Sequence, residues 1–261
     1  MMHVIKTSSQ AALLVAVVLT VAAQTAPAAI TDSFTGATAA PYWTALTDAP
    51  AALWLEQNGQ LNVRSAGAGS AANDAIYLSN GPAGFMLKTD SDFTITIDYA
   101  VTSFSGTGSI ALDLGVGKDL DGQNSAAVGF VVSSDPFMNH GLGAAVRIND
   151  VETAIPINYV AVSGTLLVQY EAASDTLTLG LNDGLNFHRV ADVVRNTWNA
   201  DTLWVSFGAR GQGLVLYSSQ AILDNLSVSG HISDIPEPAT LSMVLMGCIL
   251  AVAKSRRLRG G

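Results

Sequence analysis

The chain has almost no cysteine. Its single one, Cys248, lies in an apolar run near the C-terminus, so no disulfide can brace anything before it. Positive charge is scarce as well. Between Ala29 and Asp234 there are seven basic residues (Arg64, Lys88, Lys118, Arg147, Arg189, Arg195 and Arg210) against twenty acidic ones, a net charge of −13. The whole-chain value of −9 hides this imbalance, because five of the twelve positive charges sit at the two ends. Such a balance argues against a nucleic-acid backbone or an anionic membrane as partner of this stretch, and suits a soluble surface protein that could meet divalent cations. Catalytic constellations are equally thin. Of the histidines in the stretch (His140, His188 and His231) none stands at i, i+4 with a glutamate, which removes a zincin motif, and no Gly-x-Ser-x-Gly elbow occurs. Gly106-Thr107-Gly108-Ser109 loosely fits a dinucleotide-binding glycine pattern, but a strand pattern follows where a phosphate-cradling helix would be needed.

Both ends carry targeting patterns. Met1 to Gln10 holds Lys6, Ala11 to Ala23 is apolar, and Ala26-Pro27-Ala28 offers the small residues a signal peptidase needs. Residues 1–28 therefore read as a secretory signal peptide cut after Ala28, which places the following body outside the cytoplasm. At the other end Pro236-Glu237-Pro238 precedes an uncharged run from Ala239 to Ala253, then Lys254, Arg256, Arg257 and Arg259. As a helix this run would extend about 22 Å, short of a hydrocarbon core of about 30 Å. It suits a temporary membrane stop whose basic end stays in the cytoplasm. The two prolines keep the segment before it extended and open to a processing enzyme.

The proline-bracketed glutamate, the apolar run and the arginine-rich end, in that order at the terminus, resemble the PEP-CTERM sorting signal of Gram-negative bacteria that make extracellular polysaccharide. The resemblance implies recognition by an exosortase, a membrane cysteine protease, and removal of the tail during export. The expected organisation is a signal peptide (1–28), a body (29–231) and a sorting segment (232–261) with a short transmembrane helix. The destination is the cell surface or the extracellular space, with only transient anchoring in the membrane.

The body reads as strands. Phe93 to Val101 alternates almost perfectly, with Phe93, Ile95, Ile97, Tyr99 and Val101 on one face. Asn58-Gly59, the dipeptide that most readily supplies two positive φ angles, separates Leu53–Gln57 from Gln60–Arg64 and predicts a tight hairpin. A second pair, Leu166–Glu171 and Thr176–Leu181, flanks Ala172 to Asp175. Further strands are expected at Ser109–Val116, Ala126–Val132, Ala144–Asn149, Leu203–Ala209 and Ala221–Val228. Many short strands without a long amphipathic helix predict an all-β antiparallel sandwich, of the jelly-roll type.

The order of Asp32-Ser33-Phe34 with Trp43, the Gln57-Asn58-Gly59-Gln60-Leu61 turn, Tyr170-Glu171-Ala172 before Asp175-Thr176-Leu177, and the closing Asp224-Asn225-Leu226-Ser227-Val228 resembles the concanavalin A-like lectin and glucanase sandwiches, including laminin G-like domains. The glucanases of that superfamily carry Glu-x-Asp-x-x-Glu on one strand; this chain has no such motif. Its body glutamates, Glu56, Glu152 and Glu171, form no pair at strand spacing. No catalytic residue is assigned and an enzyme is not expected, although aspartates from different strands stay open as an alternative.

The metal candidates are Asp119, Asp121 and Asn124 in Lys118-Asp119-Leu120-Asp121-Gly122-Gln123-Asn124, where alternating oxygens around a glycine could wrap calcium. A polar turn built for backbone reasons is the competing reading. Asp224 falls in the apolar row Ile222, Asp224, Leu226, Val228, where either a bulge or strand-end exposure, or else a partner or a bound metal, would account for the carboxylate. Among the aromatics, Trp54 and Trp204 read as core, whereas Trp43, Trp198, Tyr42, Tyr159, Phe137 and Phe187 stand near loops. The body is accordingly expected to be a polysaccharide-binding module without catalytic activity. The alternative is a structural envelope protein with no small ligand.

Overall fold

A chain that alternates apolar and polar residues and lacks helical periodicity can bury its apolar faces only by stacking sheets. The computed structural model describes residues 28–35, 41–47, 54–57, 59–63, 65–66, 73–103, 105–120, 122–133, 141–149, 151–156, 159, 161–194, 198, 200–216 and 220–234. Residues 1–27, expected to belong to a signal peptide, the Pro-Glu-Pro segment with its apolar run and basic end, and Asp121, Phe137 and His140 lie outside these residues. Among the described residues, no helix is long and apolar enough to cross a membrane.

Eighteen strands run through the described residues. They are β1 (Ala28–Asp32), β2 (Thr44–Thr47), β3 (Trp54–Gln57), β4 (Gln60–Val63), β5 (Ser65–Ala66), β6 (Asn73–Leu78), β7 (Phe85–Lys88), β8 (Phe93–Val101) and β9 (Ser105–Gly117). There follow β10 (Ser125–Ser133), β11 (Gly141–Ile148), β12 (Val151–Pro156), β13 (Ser163–Glu171), β14 (Thr176–Asn182), β15 (Phe187–Val194), β16 (Thr202–Leu216), β17 (Ala221–Gly230) and β18 (Ile232–Asp234). One sheet has the order β15-β14-β13-β8-β17-β4-β3, with β1 on β17; the other runs β12-β11-β10-β9-β16-β6-β2, with β5 and β7 on β16 and β18 on β7. Pairing is antiparallel in both sheets. The chain changes sheet repeatedly: at β1–β2, β2–β3, β4–β5, β7–β8, β8–β9, β12–β13, β15–β16, β16–β17 and β17–β18. The result is an antiparallel β-sandwich of the jelly-roll type. Ala28 pairs with Gly230, and Asp234 with Phe85, so both ends of the described chain are held in sheets.

Local chemistry sets the registers. Gln57 pairs with Gln60 across Asn58-Gly59, and Gly59 takes φ +72°, the left-handed angle that the tight turn requires. Glu171 pairs with Thr176 across the turn in which Asp175 takes φ +50°. In β17 the register shifts between Asp224 and Ser227, where Asn225 is left-handed (φ +49°). This bulge swaps the inward row from Ala221 and Leu223 to Leu226 and Val228. Ile222 and Asp224 therefore face outward, and the apolar row expected from the sequence does not exist as one face. Eight strands, β1, β2, β5, β6, β7, β12, β15 and β18, are not expected from the sequence, and two of them show different reasons. β12 is an exposed edge with no buried face and ends in Pro156, while β15 pairs with β14 through a shift between Leu179 and Gly180 that breaks its alternation.

The core fills the space between the sheets. Phe93, Ile95, Ile97, Tyr99 and Val101 are all buried, as the alternation of β8 predicts. An aromatic cluster closes the interior around Phe207. Its ring centroid lies 4.9 Å from Trp43, 5.3 Å from Tyr77 and 5.7 Å from Phe34. Trp43 and Trp198, expected near loops, are only 5% and 1% exposed. Trp204 points away from the core row of Leu203, Val205 and Phe207 and is half-buried on the opposite face of β16, so the core reading of Trp204 is corrected.

Removing the Phe207 ring should leave a void against three aromatic partners and cost about 4 kcal/mol. Trp43→Phe keeps an aromatic ring, though a smaller one, and loses the indole N–H that Asp32 accepts at 2.9 Å, a loss of about 2 kcal/mol. Urea denaturation of both variants measures the two costs. Equal losses would contradict the assignment of Phe207 to the centre of the cluster.

Candidate functional site

Of the aromatics that the sequence places near loops, two meet around one turn. Asp183–Asn186 joins β14 to β15, and the Asp183 amide closes it by donating to the Asn186 carbonyl (3.1 Å). Asn182 Oδ1 accepts the Gly184 amide (2.9 Å), while Asp183 Oδ1 accepts the amides of Leu185 (2.8 Å) and Asn186 (2.6 Å). These are the local bonds that short Asn and Asp side chains make in turns. The other Asp183 oxygen, Oδ2, accepts the Tyr159 hydroxyl and pairs with His188 Nε2 at 2.8 Å. Tyr159 arrives from the segment between β12 and β13, where its carbonyl accepts the Leu142 amide (2.9 Å). Its ring stacks on His188 with centroids 3.7 Å apart.

The electrostatics follow from those contacts. The Tyr159 hydroxyl, then His188, then the amides of Asn186 and Leu185 hold the Asp183 carboxyl far below the usual carboxylate range. The same Asp183 bond pushes the Tyr159 phenol up. Burial pushes Tyr99 up too, reinforced by Tyr159 and Asp183. Asp183 thus stays ionised, and its role is to fix the turn. What the turn displays is apolar and amide in character: Leu185 is 91% exposed, Phe187 48%, and Asn182 and Asn186 are exposed beside them. The Phe187 ring lies over Gly180 of β14, where any Cβ would collide with it. Gly180 is therefore the seat of the ring. The Asp183-Gly184 dipeptide between two apolar runs was the sequence signal that could have located this hairpin.

A second polar group lies on the outer face of the same sheet. Asp98 and Asp224 stand directly opposite each other on β8 and β17. Asp98 accepts from Thr165 Oγ1 (2.5 Å) and Asn225 Nδ2 (3.0 Å), and Asp224 Oδ1 accepts the Asn225 amide (2.7 Å). Burial raises the Asp224 carboxyl above its usual value and Asp98 adds to the rise, against the Asn225 amide. The bulge explains why a carboxylate sits here without being buried in the core.

The loop proposed for calcium is organised by its own bonds. Asn124, 8% exposed, donates through Nδ2 to Asp119 Oδ2 (2.8 Å) and accepts the Asn149 amide on Oδ1 (3.1 Å). Its carbonyl accepts the Lys118 amide (2.8 Å), and Gly122 is left-handed at φ +74°. The Asn124 side chain thus links Asp119 to the turn at Asn149. Of the metal candidates, the described Asp119 and Asn124 are brought together and bonded to each other. Among the described residues, no group of three or more His, Cys, Asp or Glu side chains could hold a metal.

No protein-family model matches the chain, and no curated protein does. Solved structures do resemble it. The CBM2 module of the evolved Dit of Lactobacillus casei BL23 phage J-1 aligns with a TM-score of 0.56 and 9% identity, over 78% of this chain and 96% of that one. The lectin from Bauhinia forficata in complex with GalNAc aligns with a TM-score of 0.50 and 12% identity, over 80% of this chain and 99% of that one. At these identities the likeness concerns the fold alone, an antiparallel β-sandwich.

Asp183 and Asp224 should respond to pH with opposite signs. The carboxyl of Asp183 is depressed on folding, so its contribution is fully present above about pH 4 and is lost as pH falls through the lower folded value. Asp183→Asn should lower Tm at pH 7, and its deficit should shrink below pH 4. Asp224 is raised on folding, so its ionised form costs stability at neutral pH. Asp224→Asn should gain about 0.5 kcal/mol, the scale of one cross-strand pair. That gain should vanish below about pH 4, where the carboxyl is protonated in both states. Thermal unfolding of both variants from pH 3 to pH 7 checks the signs.

Proposed function

We propose that the protein is exported to the cell surface or extracellular matrix, where its sandwich binds polysaccharide without cleaving it. The binding surface is the Phe187 face of the Asp183–Asn186 turn. The observation that carries this reading is the convergence of a half-exposed aromatic ring with the exposed Asn182 and Asn186 on a turn fixed by Asp183. A ring face can stack on the C–H groups of a sugar while neighbouring amides take its hydroxyls. The lectin-like fold supports the reading, since one neighbour is a lectin in complex with GalNAc and another a CBM2 module.

Export rests on the two ends. The leader up to Ala28 directs the chain through the membrane, and Pro236-Glu237-Pro238 with Lys254, Arg256, Arg257 and Arg259 marks the tail for an exosortase. Signal peptidase and exosortase are then the processing partners. A second reading, a polysaccharide hydrolase, draws on Asp98 and Asp224, two carboxylates that stand directly opposite each other on β8 and β17.

A glycan array probed with the full-length protein, with and without calcium, tests binding. At least one polysaccharide class should bind, and Phe187→Ala should weaken it about tenfold, the loss of one stacking contact. A blank array would leave a structural envelope protein. Release of reducing sugar that is abolished by Asp98→Asn would favour the hydrolase. Processing is read separately, by mass, in a Gram-negative host with and without an exosortase. The mature protein should lack both ends, and replacing Pro236, Glu237 and Pro238 with alanine should retain the tail.

A further inference from the structure

Charge and hydrogen-bond saturation around Phe187 narrow the ligand class. The nearest carboxylate, Asp183, has no acceptor site to spare. An ionised carboxylate offers about four, and Tyr159, His188 and the amides of Leu185 and Asn186 take them. A calcium ion bridging protein and sugar needs six to eight oxygens at about 2.3–2.6 Å, so Asp183 could join such a bridge only by releasing the turn.

Cationic recognition is as poorly served. Arg189, two residues beyond Phe187, is paired with Asp192 (2.6 Å), which offsets its charge, and its Nη2 also donates to Thr178 (3.3 Å). Among the described residues, Arg147 lies five positions along β11 from Leu142, the residue bonded to Tyr159, or about 17 Å away at strand rise, and is paired with Glu152. Lys118 stands at the turn between β9 and β10, level with Arg147, since Ser125 pairs with both Gly117 and Arg147. The outer face of the sheet adds Asp98 and Asp224, and the body as a whole carries −13. Among the described residues, a uronate or sulfate would thus meet a negative field in which the neighbouring guanidinium is already paired with a carboxylate.

We infer that the Phe187 face takes a neutral sugar segment of a polysaccharide, by ring stacking and amide contacts, and needs no divalent cation to do so. The inference rests on the polysaccharide-binding reading above and specifies its ligand. Asp183 is a positioning residue in this scheme: its ion-like task of ordering the turn is performed by hydrogen bonds from the protein itself.

Immobilised neutral polysaccharides (a glucan, a mannan and a galactan) and uronic acid polysaccharides (alginate and pectate) are titrated with the full-length protein in calcium and in EDTA. The expected result is binding to a neutral member, unchanged within about twofold on chelation, with a loss of about tenfold in Phe187→Ala and retention in Phe187→Tyr. Asp183→Asn should weaken binding in calcium and EDTA alike. A preference for the uronates, or loss of binding in EDTA, would overturn the inference and leave polysaccharide binding standing. No binding to any member, or binding indifferent to Phe187→Ala in a variant with unaltered Tm, would sink the underlying reading and the inference with it.

Discussion

The Asp32 carboxylate holds the opening of the chain in place, and much of the sandwich depends on bonds of its kind. One oxygen accepts the Trp43 indole (2.9 Å) and the other the Phe34 amide (2.9 Å). Phe34 is thereby kept at φ +49°, a left-handed angle that a bulky residue adopts only under constraint, and its ring is delivered onto Phe207. Without disulfides in the body, a sandwich must be closed at its corners by other means. Asp92 accepts the Ala172 amide (2.8 Å), Asp175 the Tyr170 hydroxyl (2.7 Å), and Asp183 gathers four donors at the turn between β14 and β15. Bonds to an ionised acceptor are shorter and stronger than those between neutral groups.

This recasts the acidic composition. Of the twenty acidic residues of the body only three are glutamate. An aspartate reaches amides one to three residues ahead, as Asp32, Asp183 and Asp224 do, whereas the longer glutamate reaches them less well. Many of the carboxylates are therefore internal acceptors, and the charge of −13 is in part a by-product of how the turns are built. Asp98 and Asp224 show the cost of the habit, for the bulge that turns Asp224 out of the core sets it against a like charge.

How far the sequence could be read depended on whether a feature was local. The alternation of β8 and the Asn58-Gly59 turn are properties of a few consecutive residues, and both appear in the structure where the pattern puts them. The quoted fragments resembling concanavalin A-like domains proved to be corners: Asp32 and Phe34, Tyr170 and Asp175, Asp224 and Asn225. What could not be read was anything decided by a partner far along the chain. Trp43 looks like a loop residue until Phe85 and Phe207 are placed beside it. The apolar row of β17 is undone by one left-handed Asn225. Asp119 and Asn124 form a plausible cation loop in sequence, and only Asn149, 25 residues on, shows where the Asn124 oxygen is spent.

The candidate surface has the same long-range origin. Tyr159 and His188 are 29 residues apart, with the whole β13–β14 hairpin between them, and they meet because that hairpin returns the chain to the mouth of the sandwich. Residues opposite one another share a face, so Phe187 lies outward with Asn182, whereas His188, paired with the buried Leu181, turns inward to Tyr159. The inward residues tie the turn to the sheets, and the outward ones are left to meet a ligand. Turns fixed in this way lose little conformational freedom on binding, so even a modest stacking contact appears as affinity instead of being spent on ordering the loop. A surface of one ring and two amides can therefore suffice, provided that Asp183 keeps its four donors.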